Sequence, residues 1–146
     1  MAEHSQQVKK SNKLAMFLHS GSYDKIHQAF SITRAAVANE MEVHLFFTFW
    51  ALQRLVKGEM DKVVLEADKA QFTGLIEDSL QRGRVELPSQ MLRQARESGK
   101  VKVYACSASM GILNISKDSL VAEVDKAMGF VSFLALVEDA AVTLYI

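Results

Sequence analysis

The sequence predicts a three-layer α/β sandwich: a single domain on a mostly parallel central sheet of about five strands. Three observations carry this. Strand-like and helix-like patterns alternate along the 146 residues, the order that builds parallel sheets. Lys13-Leu14-Ala15-Met16-Phe17-Leu18 is a nearly continuous apolar run, as expected of a strand covered on both faces. Small or hydroxylated turns follow the strands, where a doubly wound sheet passes into its helices.

Residues 1–12 are polar and read as a flexible arm, leaving 13–146 as the folded domain. The first strand stops at His19-Ser20-Gly21-Ser22, a turn offering two helix caps. From Tyr23 to about Met41 the pattern is helical, with Ile26, Phe30, Val37 and Met41 on one face and Asp24 in the first turn. Val43 to Phe49 is a second strand, and Trp50-Ala51-Leu52 leads into a short piece ending at Gly58. Glu59 to Ala70 has weak helical periodicity, and Phe72-Thr73-Gly74-Leu75-Ile76 reads as a helix start or a loop. Ser89 is expected to cap a helix over Gln90–Glu97, closed at Gly99. So long a connection exceeds the usual βα spacing, and 55–87 reads as a helical insertion that helps form an oligomer contact.

Val101-Lys102-Val103-Tyr104-Ala105 alternates as a third strand and runs into Cys106-Ser107-Ala108-Ser109-Met110-Gly111. A short helix is expected over Ser109–Leu113, with Ser107 or Ser109 as its cap, and another over Leu120–Asp125 capped by Ser116–Ser119. Phe130–Glu138 reads as helix and Ala141–Ile146 as the last strand. Parallel strands send three of their carboxyl ends to one edge: His19-Ser20-Gly21-Ser22, Thr48-Phe49-Trp50 and Cys106-Ser107-Ala108-Ser109.

Composition narrows the function classes. The chain is 49% apolar with 17 basic and 17 acidic residues, so no basic excess recommends nucleic acid. The near-zero charge does little to keep copies apart. One cysteine makes no internal disulfide, and the polar N-terminus lacks a signal-peptide core, so a reduced cytoplasmic setting is expected. Met128 to Ile146 is apolar-rich, but Glu138 and Asp139 argue against a membrane span. Scattered histidines beside one cysteine make no zinc set, no Gly-x-Gly-x-x-Gly or phosphate-loop signature is present, and no cofactor is expected.

Cys106 is the leading candidate. A thiol where a strand meets a helix faces free backbone N–H groups and the positive end of the helix dipole. Both favour thiolate, the reactive form, and small neighbours leave room for an incoming thiol. The bland alternative is a small buried hydrophobe. His19 either lines the Cys106 pocket or caps and packs. Ser20-Gly21-Ser22 either cradles an anion or is an ordinary βα turn. Trp50 at the end of its strand walls the thiol pocket or an oligomer seam, while Thr48, Ser107, Ser109 and Met110 complete the candidate binding edge. His44 belongs to strand packing and His27 to a solvated helix face.

With these residues in place, the sequence resembles the DsrE/DsrF-like family of small sulfur-relay proteins. The resemblance runs through Phe17-Leu18-His19-Ser20-Gly21 to Asp24-Lys25, Phe46-Phe47-Thr48-Phe49-Trp50-Ala51-Leu52, and Val103-Tyr104-Ala105-Cys106-Ser107-Ala108-Ser109-Met110. It closes with Gly129–Leu134 and Thr143–Ile146. It implies a Rossmann-like, DsrE-like fold assembled as a trimer or hexamer. It further implies a cysteine, here Cys106, that accepts sulfane sulfur or thiosulfonate and passes it to a partner thiol. The Phe-Thr-Phe-Trp branch implies TusA-like or rhodanese-like carriers as partners. The second cysteine of some members is absent, which excludes an intramolecular disulfide step.

The leading expectation is therefore a cytoplasmic sulfur carrier or sulfurtransferase-like protein working through an accessible Cys106. The alternatives are a non-catalytic oligomeric module that binds a ligand or regulates a partner, and a thiol redox sensor.

Overall fold

The computed structural model describes residues 11–146. Of the arm expected over residues 1–12, residues 1–10 lie outside the described residues. Ser11 and Asn12 are bound to the domain: the Ser11 N–H donates to the Asp139 carbonyl at 2.9 Å, and the Glu42 N–H to the Asn12 carbonyl at 2.9 Å.

Five parallel strands form one sheet: β1 (Lys13–Leu18), β2 (Glu42–Phe47), β3 (Val101–Cys106), β4 (Lys126–Met128) and β5 (Val142–Tyr145). Their order is β4-β3-β2-β1-β5, so the chain steps outward from β1 and then returns to pair β5 on its other side. The helices are α1 (Tyr23–Ala38), α2 (Phe49–Gln53), α3 (Thr73–Gln81), α4 (Pro88–Glu97), α5 (Ser107–Ile112) and α6 (Phe130–Leu136).

Strand alternation splits the core in two. Leu14, Met16 and Leu18, Val43, Leu45 and Phe47, and Val101, Val103 and Ala105 face α1 and α4 in the larger cluster. α1 meets them with Ile26, Ala29 and Phe30, and α4 with Met91, Leu92 and Ala95, each at helical spacing. The opposite row, Ala15, Phe46, Tyr104 and Cys106, packs with Phe133 and Val137 from α6 and its end. That second face is thinly covered. Phe133 is the only buried residue of α6, while Val131 is 86% exposed and Leu134 54%.

Three local expectations are corrected and one open alternative, helix start or loop at residues 72–76, is settled as helix. Ser89 does not cap α4: Leu87 holds that place, Pro88 opens the helix, and the Ser89 N–H and hydroxyl donate to Asp61 at 2.9 and 2.6 Å. Leu120–Asp125 is not helical, because Leu120 bridges Val56 and the chain then enters the unanticipated edge strand β4. Thr73–Gln81 is a helix, preceded by a 3-10 turn over Ala67–Phe72. The helix after Cys106 begins at Ser107 rather than Ser109, with Cys106 itself in the cap position. Among the described residues no helix is long and apolar enough to cross a membrane.

Candidate functional site

The carboxyl ends of the central strands are level. Leu18 pairs with Phe47 and Phe47 with Ala105, so the next residues, His19, Thr48 and Cys106, stand in one row across the edge. Backbone and hydroxyl bonds stitch that row. The Thr48 N–H and Oγ1 both donate to the Leu18 carbonyl, at 2.8 and 3.1 Å, and the Ala51 N–H donates to the His19 carbonyl at 3.0 Å. Phe49 follows with φ of 42°, a left-handed backbone, and its N–H donates to Ser109 Oγ at 3.0 Å. Ser109, 1% exposed, thus ties the end of β2 to the helix that follows Cys106.

Cys106 ends β3 in register with Met128 of β4 and occupies the cap position of α5 with extended backbone. The expectation of an open thiol is not met in the protomer, where Cys106 is 0% exposed. Alternation is the reason: Cys106 points to the same side as Tyr104, where Phe133 covers the sheet and Met128 packs alongside. Its immediate neighbours differ. Ser107 and Ala108 are exposed and Met110 is half-buried.

The other predicted residues divide between two places. His19 lies on the β5 side of the edge, its ring against Phe49 (centroids 5.7 Å apart) and near-parallel to Tyr145 at 6.2 Å. β2 stands between it and β3, which separates the His19 and Cys106 backbones by about 10 Å, two strand spacings. Ser20, Gly21 and Trp50 line a separate cleft of about 280 Å³ with Ser22, Arg54 and Glu66. Gly21 is required there, because a Cβ would sit 2.4 Å from the Trp50 carbonyl oxygen. Among the described residues, no group of three His, Cys, Asp or Glu side chains could hold a metal ion.

Two charged features complete the electrostatics. His44 is buried between Tyr104, whose hydroxyl lies 2.9 Å from Nδ1, and Glu42, whose Oε1 lies 2.5 Å from Nε2. Burial, then the Asp125 and Glu42 carboxylates, push the Tyr104 phenol up to about 12. Beside the β3–β4 pair, burial pushes the Asp125 carboxyl up, but two hydrogen bonds from Arg96 and one from the Val103 N–H outweigh it and hold it below its usual range. Sequence reasoning missed Arg54, a buried cation beside the cleft, and the left-handed Phe49. The signal for Arg54 was a lone charge inside the apolar stretch Ala51-Leu52-Gln53-Arg54-Leu55-Val56.

Residues 10–87 and 68–145 each match the sequence pattern of the DsrE/DsrF/DrsH-like family. The uncharacterized protein YrkE of Bacillus subtilis (strain 168) is 29% identical over 163 aligned positions, covering 95% of this chain and 99% of its own. Among solved structures, the ychN protein from E. coli superposes with a TM-score of 0.64 at 16% identity, covering 92% of this chain and 98% of that one. A protein of unknown function from Methanobacterium thermoautotrophicum, MTH1491, gives 0.55 at 15% identity, covering 92% and 96%. These two structures establish the shared fold.

Proposed function

The chain belongs to the DsrE/DsrF/DrsH-like family, and from that premise we propose that it is a cytoplasmic sulfur-relay protein that carries sulfur on Cys106. The observation that supports this most is the position of the only cysteine, at the carboxyl end of a central strand and at the start of the following helix. In the forward step the Cys106 thiolate attacks the outer sulfur of a donor persulfide. The donor S–S bond breaks, the donor leaves as thiolate, and a Cys106 persulfide forms. In the second step an acceptor thiolate takes that outer sulfur and Cys106 leaves as thiolate. No net oxidation occurs. The donor and acceptor are TusA-like or rhodanese-like carriers, and the protein acts as a sulfurtransferase or as a carrier with little turnover alone.

Reaching the sulfur requires α6 to lift. The helix is short and holds the sheet through Phe133 and, against Phe17 and Phe46, Phe130, with Val137 just beyond it. Burial of one large apolar side chain contributes about 1.5–3 kcal/mol, so freeing Phe133 together with Phe130 and Val137 is a local opening of several such increments, short of global unfolding. The exposed apolar side chains of α6, Phe130, Val131 and Leu134, with Tyr145 of β5, suit a homo-oligomer contact, a trimer or hexamer.

The test is transfer. After loading with a persulfide donor and removal of excess donor, sulfur should leave the wild-type protein for a TusA-like acceptor, and Cys106→Ser should deliver none. Equal delivery by both proteins removes the proposal. The burial of Cys106 favours a second reading, a non-catalytic oligomeric module that binds a ligand or regulates a partner. A native Cys106 that resists alkylation even with donor present supports that reading.

A further inference from the structure

Arg54 is a buried cation that forms no ion pair among the described residues, although the Glu59 carboxylate feels its charge. It follows the last turn of α2 at 8% exposure. Its Nη1 donates to the Glu59 carbonyl at 3.2 Å, its Nε is buried and donates to nothing, and no carboxylate pairs with it among the described residues. A guanidinium taken largely out of water is costly unless its N–H groups find acceptors, so an oxygen acceptor is wanted beside it.

The cleft that Arg54 lines is shaped to receive one. Ser20, Gly21 and Ser22 also line it, just before the sixteen-residue α1, whose dipole favours an anion. The nearby carboxylates are already engaged. Glu66 pairs with Lys25 at 2.7 Å, and Asp24 accepts the Ser22 hydroxyl. Lys25 and Glu66 cancel, and the Asp24 carboxylate, whose Ser22 partner is neutral, offsets Arg54, so an anion in the cleft is held by directed N–H and O–H donors rather than by excess charge. The volume, about 280 Å³, falls just below the range of drug-sized pockets, which restricts the ligand to a small molecule.

We propose that this cleft binds a small oxyanion, a carboxylate, sulfo or phosphate head, held by the Arg54 guanidinium and the Ser20 hydroxyl. The planar fork of arginine matches two oxygens of such a head at once. The site stands independently of the sulfur-relay reading, since it uses none of the residues that cover Cys106.

Trp50, the only tryptophan, sits half-exposed on the cleft and reports its occupancy. Titrate the protein with acetate, thiosulfate and inorganic phosphate in turn, at ionic strength held constant with chloride, following Trp50 emission. A saturable change with at least one probe is expected, and the probe that gives it identifies the head group. Affinity should fall about tenfold or more in Arg54→Gln, and in Arg54→Lys, which keeps the charge but loses the fork. Ser20→Ala should weaken it several-fold. If the Arg54 variants do not fold, Ser20→Ala and the rise in wild-type melting temperature with the same probe decide the matter. Flat emission with all three probes overturns the proposal, as does a response that the folded variants leave unchanged.

Discussion

The Phe49 backbone N–H donates to Ser109 Oγ at 3.0 Å, joining the end of β2 to the helix that begins beside Cys106. Phe49 holds φ of 42°, a conformation that costs a non-glycine residue on the order of 1 kcal/mol or more and persists only where neighbours over-determine it. Ser109 is one such neighbour. The strained joint and the candidate sulfur site are thus mechanically connected. Ser109→Ala should lower unfolding free energy by about 1–2 kcal/mol in urea titration, the loss of a hydrogen bond that leaves its donor unpaired.

Gly21→Ala places a Cβ against the Trp50 carbonyl, a backbone atom that cannot swing aside. The turn and α2 must separate. The expected result is destabilisation by about 1–3 kcal/mol with a shifted Trp50 emission spectrum, measured on the same denaturation curve.

Acid stability should report Asp125. Its carboxyl is held below the usual range when folded, so its contribution is complete above the unfolded value of about 4 and fades as pH falls from there through the folded value. Asp125→Asn should lose about 1–3 kcal/mol at neutral pH and show a flatter acid limb than wild type in pH-dependent melting.

Alkaline stability should report Tyr104. Its phenol is raised to about 12, so the unfolded chain gives up that proton first. Stability is intact below the unfolded value of about 10 and falls as pH rises towards 12. Ultraviolet titration of the folded wild type should show a late-ionising phenol that Tyr104→Phe removes.

The apolar surface of α6 makes an association prediction. Val131→Asp and Leu134→Asp, both at exposed positions, should shift sedimentation of the protein towards its 16.3 kDa chain mass without changing its circular dichroism. Wild type already at that mass contradicts the assembly reading.

Much of this fold was legible because its strands are unambiguous. Lys13–Leu18 and Val101–Ala105 carry patterns that only a covered strand satisfies, and helical spacing from Ile26 to Phe30 marks α1. β4 was not legible: three residues at a sheet edge, Lys126-Ala127-Met128, carry no period. For α4 the proline at the first turn was a better signal than the serine after it. Cys106 was placed correctly along the chain but not across the sheet. Counting alternation from Tyr104 puts its sulfur under α6, yet how fully α6 covers that face is a tertiary fact. Arg54 stayed hidden because an unpartnered buried Nε is visible only in three dimensions.

The central claim, that Cys106 carries sulfur, is tested most directly by the intact mass of the protein after incubation with thiosulfate or a persulfide donor. The account predicts one added sulfur on wild type, with sulfite or the donor thiolate leaving, mapped to the peptide containing Cys106 and absent from Cys106→Ser. Wild type that emerges unmodified under conditions that load a rhodanese, or an adduct carried equally by Cys106→Ser, contradicts it.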